Sequence, residues 1–356
     1  MTPSETGRFF LPGPTEVHPD VLAAQTRPMI GHRGRAIEEL LARIASGLAV
    51  VFQTRCPVIV SASAASGLME AAIRNGVHTG PVLALVNGAF SSRFASIARA
   101  CGREVDVWEV EWGQIHDLDG LAERLRDRRY EAVTVTHSES STGALQDLEG
   151  IASVVAEHPD TLLLVDSVTG IGAVEVRPDD WGIDFILTGS QKALALPPGL
   201  AFAVPSEAMM ERAATIPDRG WYFDLVKLVE SLEKNQTPAT PAVSLLYALD
   251  AQLERILEEG IEARWERHRR MQALTVEWAE GTGLGVFAVP EGRSPTVTCV
   301  NHPEPKRVVS AMAERGWTIG GGYGKIQDRT FRIGHMGDHT VDGLKALLAE
   351  LDEVVA

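Results

Sequence analysis

Between residues 57 and 205, short apolar runs rich in β-branched residues alternate with stretches whose apolar positions recur every three or four residues. The runs at 57–62, 82–86, 104–110, 132–136, 162–166, 185–188 and 200–204 predict seven strands. Helical periodicity separates most of them, at 68–74, 92–101, 118–126 and 148–157. Strands that are apolar at nearly every position, joined through helices, predict a mainly parallel sheet covered on both faces. The last of the seven follows Lys192 with only Gly199 and a short turn between, too little for a helix, so it is expected to run antiparallel.

Prolines 238 and 241 punctuate the chain beyond this region, and a helical pattern then runs from Leu245 toward Trp278. Short strands are expected at 286–289, 296–300 and 330–333, with helices at 306–315 and 341–354, which together make a smaller βαβ-like unit. The expected organisation is an N-terminal arm over 1–20, a large α/β domain over 21–245 and a small C-terminal domain over 246–356. No internal repeat or low-complexity stretch interrupts it.

Composition narrows the function classes. A formal net charge of −15 disfavours a nucleic-acid partner, which needs clustered Lys and Arg against phosphates. No apolar run approaches the ~20 residues of a membrane-spanning helix, and the N-terminus lacks the basic start and apolar stretch of a signal peptide. A soluble, cytoplasmic protein with no membrane partner is expected. Cys56, Cys101 and Cys299 are odd in number and far apart, so neither a disulfide framework nor a metal site is indicated.

Candidate chemistry begins with Asp166 and Lys192. Asp166 closes the run Leu162-Leu-Leu-Val-Asp166, and Lys192 follows Phe185-Ile-Leu-Thr-Gly-Ser-Gln. Both therefore stand at carboxyl ends of strands, where open α/β sheets bind ligands. About 25 residues separate them, which suits one crossover between neighbouring strands about 4.8 Å apart. A small aromatic ring would span that gap. An aldehyde cofactor needs a lysine at one end and, at the other, a carboxylate that keeps a pyridine nitrogen protonated. Taken alone, the two residues also fit an ordinary strand-end aspartate and a surface lysine.

Their surroundings add to the case. Ser61-Ala-Ser-Ala-Ala-Ser-Gly67 runs from a strand into a helix, and its small side chains let backbone N–H groups and the helix dipole face a phosphate. Ser and Gly are also ordinary caps in such turns. Asn87-Gly-Ala-Phe90 puts an aromatic ring just past another strand end.

Further along the chain are Leu11-Pro-Gly-Pro-Thr15, Glu139-Ser-Ser-Thr-Gly143, Val165-Asp-Ser167 and Thr188-Gly-Ser-Gln-Lys-Ala-Leu194, the last leading to Pro197-Pro-Gly199. Thr237-Pro-Ala-Thr-Pro241 and Phe331-Arg-Ile-Gly334 follow in order. With these motifs the chain resembles the class V aminotransferases of pyridoxal-phosphate (PLP) fold type I, in the branch of the alanine–glyoxylate and serine–glyoxylate (serine–pyruvate) enzymes. The resemblance spans nearly the whole chain, to about Gly337.

It implies a large domain with a mainly parallel seven-stranded sheet between helices, a smaller C-terminal α+β domain, and a homodimer with shared active sites. It also implies roles residue by residue. Lys192 would bond the cofactor as a Schiff base and then carry the substrate Cα proton. Asp166 would pair with the pyridine nitrogen and, beside a positive ring, stay ionised. Phe90 would stack on the ring, in a position that is often Trp, and Ser140 would hydrogen-bond the phenolic oxygen. Ala65, Ser66, Gly67 and Gln191 would hold the phosphate, joined by Thr240 of the neighbouring subunit. Arg332 would grip the substrate α-carboxylate bidentately, with the Gly13 backbone nearby. The implied reaction moves the amino group of a small L-amino acid, alanine or serine, to glyoxylate or another short 2-oxo acid.

Two positions depart from the family pattern. Ala64 and Ala65 replace residues of a glycine-rich phosphate turn, which keeps backbone donors but loses a side-chain contact. Thr237 stands where some relatives carry tyrosine three residues before the phosphate-binding threonine. Gly320-Gly-Gly-Tyr-Gly-Lys325 fails the P-loop spacing and is expected to be a flexible loop closing over the site. His32 and Arg33 lie near the substrate entrance by the same resemblance, with helix capping or a subunit contact as the plainer role. Trp221 and Tyr222 are expected at the dimer contact.

No second carboxylate-binding arginine is obvious, which favours a singly anionic donor, although Arg33, Arg93 or Arg219 could enter the pocket. Other readings stay open. PLP lyase chemistry of the desulfurase kind would need a reactive cysteine, and an aminophosphonate donor would need more cationic anchoring. A binding module that has lost its chemistry is at odds with the intact Asp166, Lys192 and Arg332.

Overall fold

The computed structural model describes residues 7–355, so the first six residues of the expected N-terminal arm lie outside the described residues. Among the described residues the strands are β1 (Phe9–Phe10), β2 (Ile59–Ser61), β3 (Val82–Val86), β4 (Val105–Glu109), β5 (Ala132–Thr136), β6 (Ser138–Glu139), β7 (Ala144–Leu145), β8 (Leu162–Asp166), β9 (Phe185–Gly189), β10 (Ala201–Pro205), β11 (Val297–Asn301), β12 (Thr318–Gly321) and β13 (Thr330–Gly334).

Seven of them form one sheet in the order β2-β10-β9-β8-β5-β3-β4. β4, β3, β5, β8 and β9 run parallel, whereas β10 is antiparallel to both β9 and β2. These are the seven strands that the apolar runs predict, including the reversed one. Every residue of β8 is buried, and the alternation of side chains explains why. Leu162 and Leu164 enter a core shared with the helix Ala65–Gly76, while Leu163 and Val165 enter a core shared with the helices Arg35–Phe52 and Val243–Glu259. Each leucine so buried contributes roughly 2 kcal/mol, and two apolar faces leave no polar position in the run until Asp166.

The second sheet has the order β1-β12-β13-β11. β11 and β12 are each antiparallel to β13, so they are parallel to one another and are joined through the helix Pro305–Glu314. This is the expected βαβ-like unit. Its core gathers Phe10, Val300, Ile319, Phe331 and Ile333 under the helix Val341–Val355. The N-terminal segment is thus pinned at β1 to the C-terminal sheet, and it then runs on to Lys192 of the large one: Thr15 N–H donates to the Gln191 carbonyl at 3.0 Å and Thr15 Oγ1 to the Lys192 carbonyl at 3.0 Å.

Three expectations are corrected. The long pattern from 245 to 278 is two helices, Val243–Glu259 and Ile261–Gly281, broken at Gly260, whose φ of 82° suits glycine. The first of them packs on the large sheet's core. Residues 286–289 form no strand, because Phe287 N–H donates to Cys299 and Val289 N–H to Gly113, two different segments. The glycine-rich stretch is not a free loop either. Its first part is β12, and Lys325 anchors its end to Glu109 at 2.8 Å and over the Trp112 ring at 4.6 Å.

Candidate active site

Register places Asp166 of β8 opposite Leu187 of β9, and Lys192 stands three residues beyond the end of β9. Both side chains open into one pocket of about 670 Å³, walled by Ala64, Ala65 and Ser66 on one side and by Phe90, Ser138 and Ser140 on another.

Asp166 is only 2% exposed. Its Oδ1 accepts the Val168 N–H at 2.9 Å, and Oδ2 has only a long contact from Thr136 Oγ1 at 3.5 Å. Burial pushes this carboxyl up to about 7, the neighbouring charge of Glu139 adds to the rise, and Lys192 opposes it. The sequence reading had Asp166 ionised beside a positive ring. Burial outweighs the opposing charge of Lys192, so the carboxylate is an unsatisfied half of a pair.

Lys192 donates from Nζ to the Pro12 carbonyl at 2.8 Å. Burial lowers its amine to about 8, and the positive charges of Arg332 and Arg93 work in the same direction against Asp166. An amine so placed is easily deprotonated and becomes a nucleophile. Gly13 makes the approach possible, because a Cβ there, at φ +107°, would overlap Lys192 Nζ, Cδ and Cε.

The helix Ala65–Gly76 starts at the pocket wall, and its N-cap, Ala64, offers no side-chain acceptor. Helix N-termini with unsatisfied N–H groups attract anions. Gln191 lies alongside, since a Cβ built on Gly189 would meet Gln191 Oε1 at 3.0 Å and Ala65 Cβ at 3.5 Å. Gly67 does not line the pocket. Its N–H is taken by the Ala64 carbonyl at 2.9 Å, and it serves packing instead, because a Cβ there would meet Phe223 Cζ at 2.7 Å.

Arg332 on β13 crosses to the segment that follows β6, donating from Nη1 to the Ser140 carbonyl at 3.0 Å, and donates from Nε to the Gly321 carbonyl at 2.8 Å. Tyr323 joins this rim, its ring 5.6 Å from Phe90 and 5.3 Å from the Arg332 guanidinium carbon. Sequence reasoning assigned no role to Tyr323, to Ser138 or to Glu139. The motif containing Glu139 was the signal available for that last one.

Arg93 does reach the pocket wall, with its guanidinium 4.7 Å from the Phe90 ring, and it makes no ion pair among the described residues. Arg219 is instead tied to Asp224 at 2.7 Å, and Arg33 is exposed, bonded to the carbonyl of His32. Thr240 is exposed and lines a separate groove with Trp221 and Tyr222, which are 60% and 47% exposed. Cys299 is buried with its thiol pushed up to about 11, burial also raises Cys56 and Cys101, and none of the three lines the Lys192 pocket.

An amine, an unpaired buried carboxylate, an uncapped helix N-terminus and an aromatic ring around one pocket fit PLP in size and charge. They define an enzyme that holds an aldehyde cofactor on a lysine. Residues 22–323 match the family model for Aminotransferase class-V. A Synechococcus protein named soluble hydrogenase, small subunit, is 36% identical over 96% of this chain and 93% of its own. An L-aspartate–glyoxylate aminotransferase of Paracoccus denitrificans is 35% identical over 93% of this chain and 87% of its own. The crystal structure of an alanine–glyoxylate aminotransferase from Nostoc sp. matches with a TM-score of 0.93 at 32% identity, covering 100% of this chain and 96% of that one. The chain belongs to the class-V aminotransferase family and is a PLP-dependent transaminase of fold type I.

Proposed function

We propose that this transaminase moves the amino group of a small L-amino acid, alanine or serine, to glyoxylate or another short 2-oxo acid. The observation that carries the reading is the shared pocket of Lys192 and Asp166 with Arg332 tied to Ser140 at its rim. When bound, PLP supplies an electron sink for the bond being broken at the substrate Cα. Lys192 supplies the covalent anchor, then the base that takes the Cα proton, a task suited to an amine lowered to about 8. Asp166 would face the pyridine nitrogen, where a proton held between them relieves its burial.

Ser140 would donate to the phenolic oxygen, and Phe90 would stack on the ring. The phosphate would rest on the N–H groups of Ala65 and Ser66 and on Gln191, so the alanines of this turn cost a side-chain contact but no backbone donor. Arg332 has Nη2 free of acceptors among the described residues, which leaves an edge for the substrate carboxylate beside Gly13. A second copy of the chain would cover the groove of Trp221 and Tyr222 and bring its Thr240 to the phosphate, with His32 and Arg33 near the entrance. We place the division between the two units at Gly260. No helix among the described residues is long and apolar enough to cross a membrane, and free thiols suit a cytoplasmic setting.

Glyoxylate is the shared term in the names of relatives that use aspartate, alanine, serine or (S)-ureidoglycine. A dicarboxylic donor is the second reading, because Arg93 at the pocket wall could meet a second carboxylate. Single-turnover reaction of the PLP-loaded enzyme with alanine, serine and aspartate, followed by loss of the lysine-bound absorption band, decides between them. Alanine or serine should react about tenfold faster than aspartate or better. The reverse order supports the second reading, and reaction with none of the three would overturn both.

A further inference from the structure

We propose that Glu139 is a positioning residue that locks the stacking ring and the carboxylate-gripping arginine into one unit. The inference rests on the roles given above to Phe90 and Arg332. Glu139 ends β6 and is fully buried. Its Oε2 accepts the N–H of Phe90 at 3.0 Å and of Ser91 at 2.9 Å, with Ser91 Oγ at 3.1 Å. Its Oε1 accepts the N–H of Ser141 at 3.1 Å and the hydroxyl of Ser141 at 2.6 Å. One carboxylate therefore collects five donors from two segments, Phe90–Ser91, which lies 48 to 49 positions before it in sequence, and the adjacent Ser141.

The first segment is the N-terminus of the helix Ala89–Ala100, whose N-cap, Gly88, has no side chain to close it. Glu139 supplies the missing cap from a distant strand, with a charge of the sign that a helix N-terminus favours. Gly88 leaves the room, because a Cβ there would overlap Glu139 Cγ and Cδ. The second segment is Ser140–Ser141. The Ser140 carbonyl orients Arg332, and Ser141 Oγ accepts the Ala89 N–H at 3.0 Å. Phe90 comes from a helix start and Arg332 from β13, and Glu139 is the group that both depend on through backbone. A carboxylate that caps a helix start and pins Ser141 this close to a pocket sets where the ring and the guanidinium sit.

Glutamine at this position keeps one acceptor oxygen and turns an N–H₂ toward groups that already donate. Losing hydrogen bonds to a charged group should therefore raise the dissociation constant for PLP and the KM for the amino donor by about tenfold each in Glu139→Gln. In the cofactor-free protein, amide exchange at Phe90 and Ser91 should quicken by a similar factor. The positioning role is read in a double-mutant cycle. In a Phe90→Ala background, Glu139→Gln should change the PLP dissociation constant by less than about twofold, because the ring it places is gone.

If Glu139→Gln does not fold, Ser141→Ala, which removes one donor to Glu139 and the acceptor of the Ala89 N–H but leaves the backbone in place, should show the same pattern at about threefold. Effects that add in full in the Phe90→Ala background, or a lowered melting temperature with unchanged PLP affinity and KM, would overturn the proposal. Inert Phe90→Ala and Arg332→Gln variants would overturn instead the roles on which it rests.

Discussion

Two carboxylates, Asp338 with its side chain 19% exposed and Asp166 buried, show what separates a scaffold from a site. Asp338, near the end of β13, accepts from Arg264 at 2.9 Å and from Gln252 at 3.0 and 3.1 Å. Burial pushes its carboxyl up, but the charge and hydrogen bonds of Arg264, with Gln252 and Arg255, outweigh that and hold it below the usual range. Asp166 is more deeply buried, its bonds are one N–H and one long hydroxyl contact, and burial wins. The chain completes Asp338 from its own residues and leaves Asp166 for a cation that it does not encode. Arg264 also donates to the Ala193 carbonyl at 2.8 Å, so the completed network holds the backbone beside Lys192 while the incomplete one faces the cofactor.

Asparagine at each position should divide the two roles. Asp166→Asn removes the charge that stabilises a protonated pyridine, and kcat/KM should fall by roughly a hundred- to thousandfold while the protein stays folded. Steady-state kinetics of the PLP-saturated enzyme measure it, and activity within threefold of the parent would mean that Asp166 is only a strand-end residue. Asp338→Asn should do the opposite. It leaves Arg264, 2% exposed, with Glu259 as its remaining carboxylate, and should cost about 2 kcal/mol in denaturant unfolding. Its folded fraction should bind PLP normally. A large loss of PLP affinity without loss of stability would erase the distinction between the two sites.

What the sequence revealed follows from the same physics. The large sheet was legible because its central strands bury both faces and read as nearly unbroken apolar runs, as Leu162–Asp166 does. The lysine–carboxylate pair was legible for that reason too. β12 was not, because Thr318–Gly321 has little strand propensity of its own and is extended only through its partners β1 and β13. The break at Gly260 was hidden because apolar periodicity continues on both sides and a helix tolerates one glycine. Glu139 stood in a quoted motif, but its task depends on a helix start far away in sequence, which no local pattern reports. The same holds for Arg93, whose reach into the pocket is a matter of packing.

The smallest expected effect is the pH dependence of the cofactor-free protein, and its sign is distinctive. Asp166 has a folded-state value of about 7, above the ordinary carboxylate value of 3.8. Below the ordinary value it is protonated in both states. As pH rises toward 7 the unfolded chain gives up its proton first, so the stability that Asp166 contributes is lost across that window. Lys192, at about 8 against an ordinary 10.5, acts in the other direction: between those values the unfolded chain holds the extra proton, and stability recovers as pH rises. The two together put a minimum near pH 7–8, where both buried groups are charged and unpaired by cofactor. Urea midpoints measured from pH 4 to 10 should show a shallow trough there, of the order of 1–2 kcal/mol after discounting for relaxation around the site. Asp166→Asn should flatten the acid side and Lys192→Met the alkaline side. Saturating PLP should fill the trough, since the ring's own charge then completes Asp166 as Arg264 completes Asp338. A curve that instead rose steadily from pH 4 to 7 in the parent and in Asp166→Asn alike would place this carboxylate among the satisfied ones.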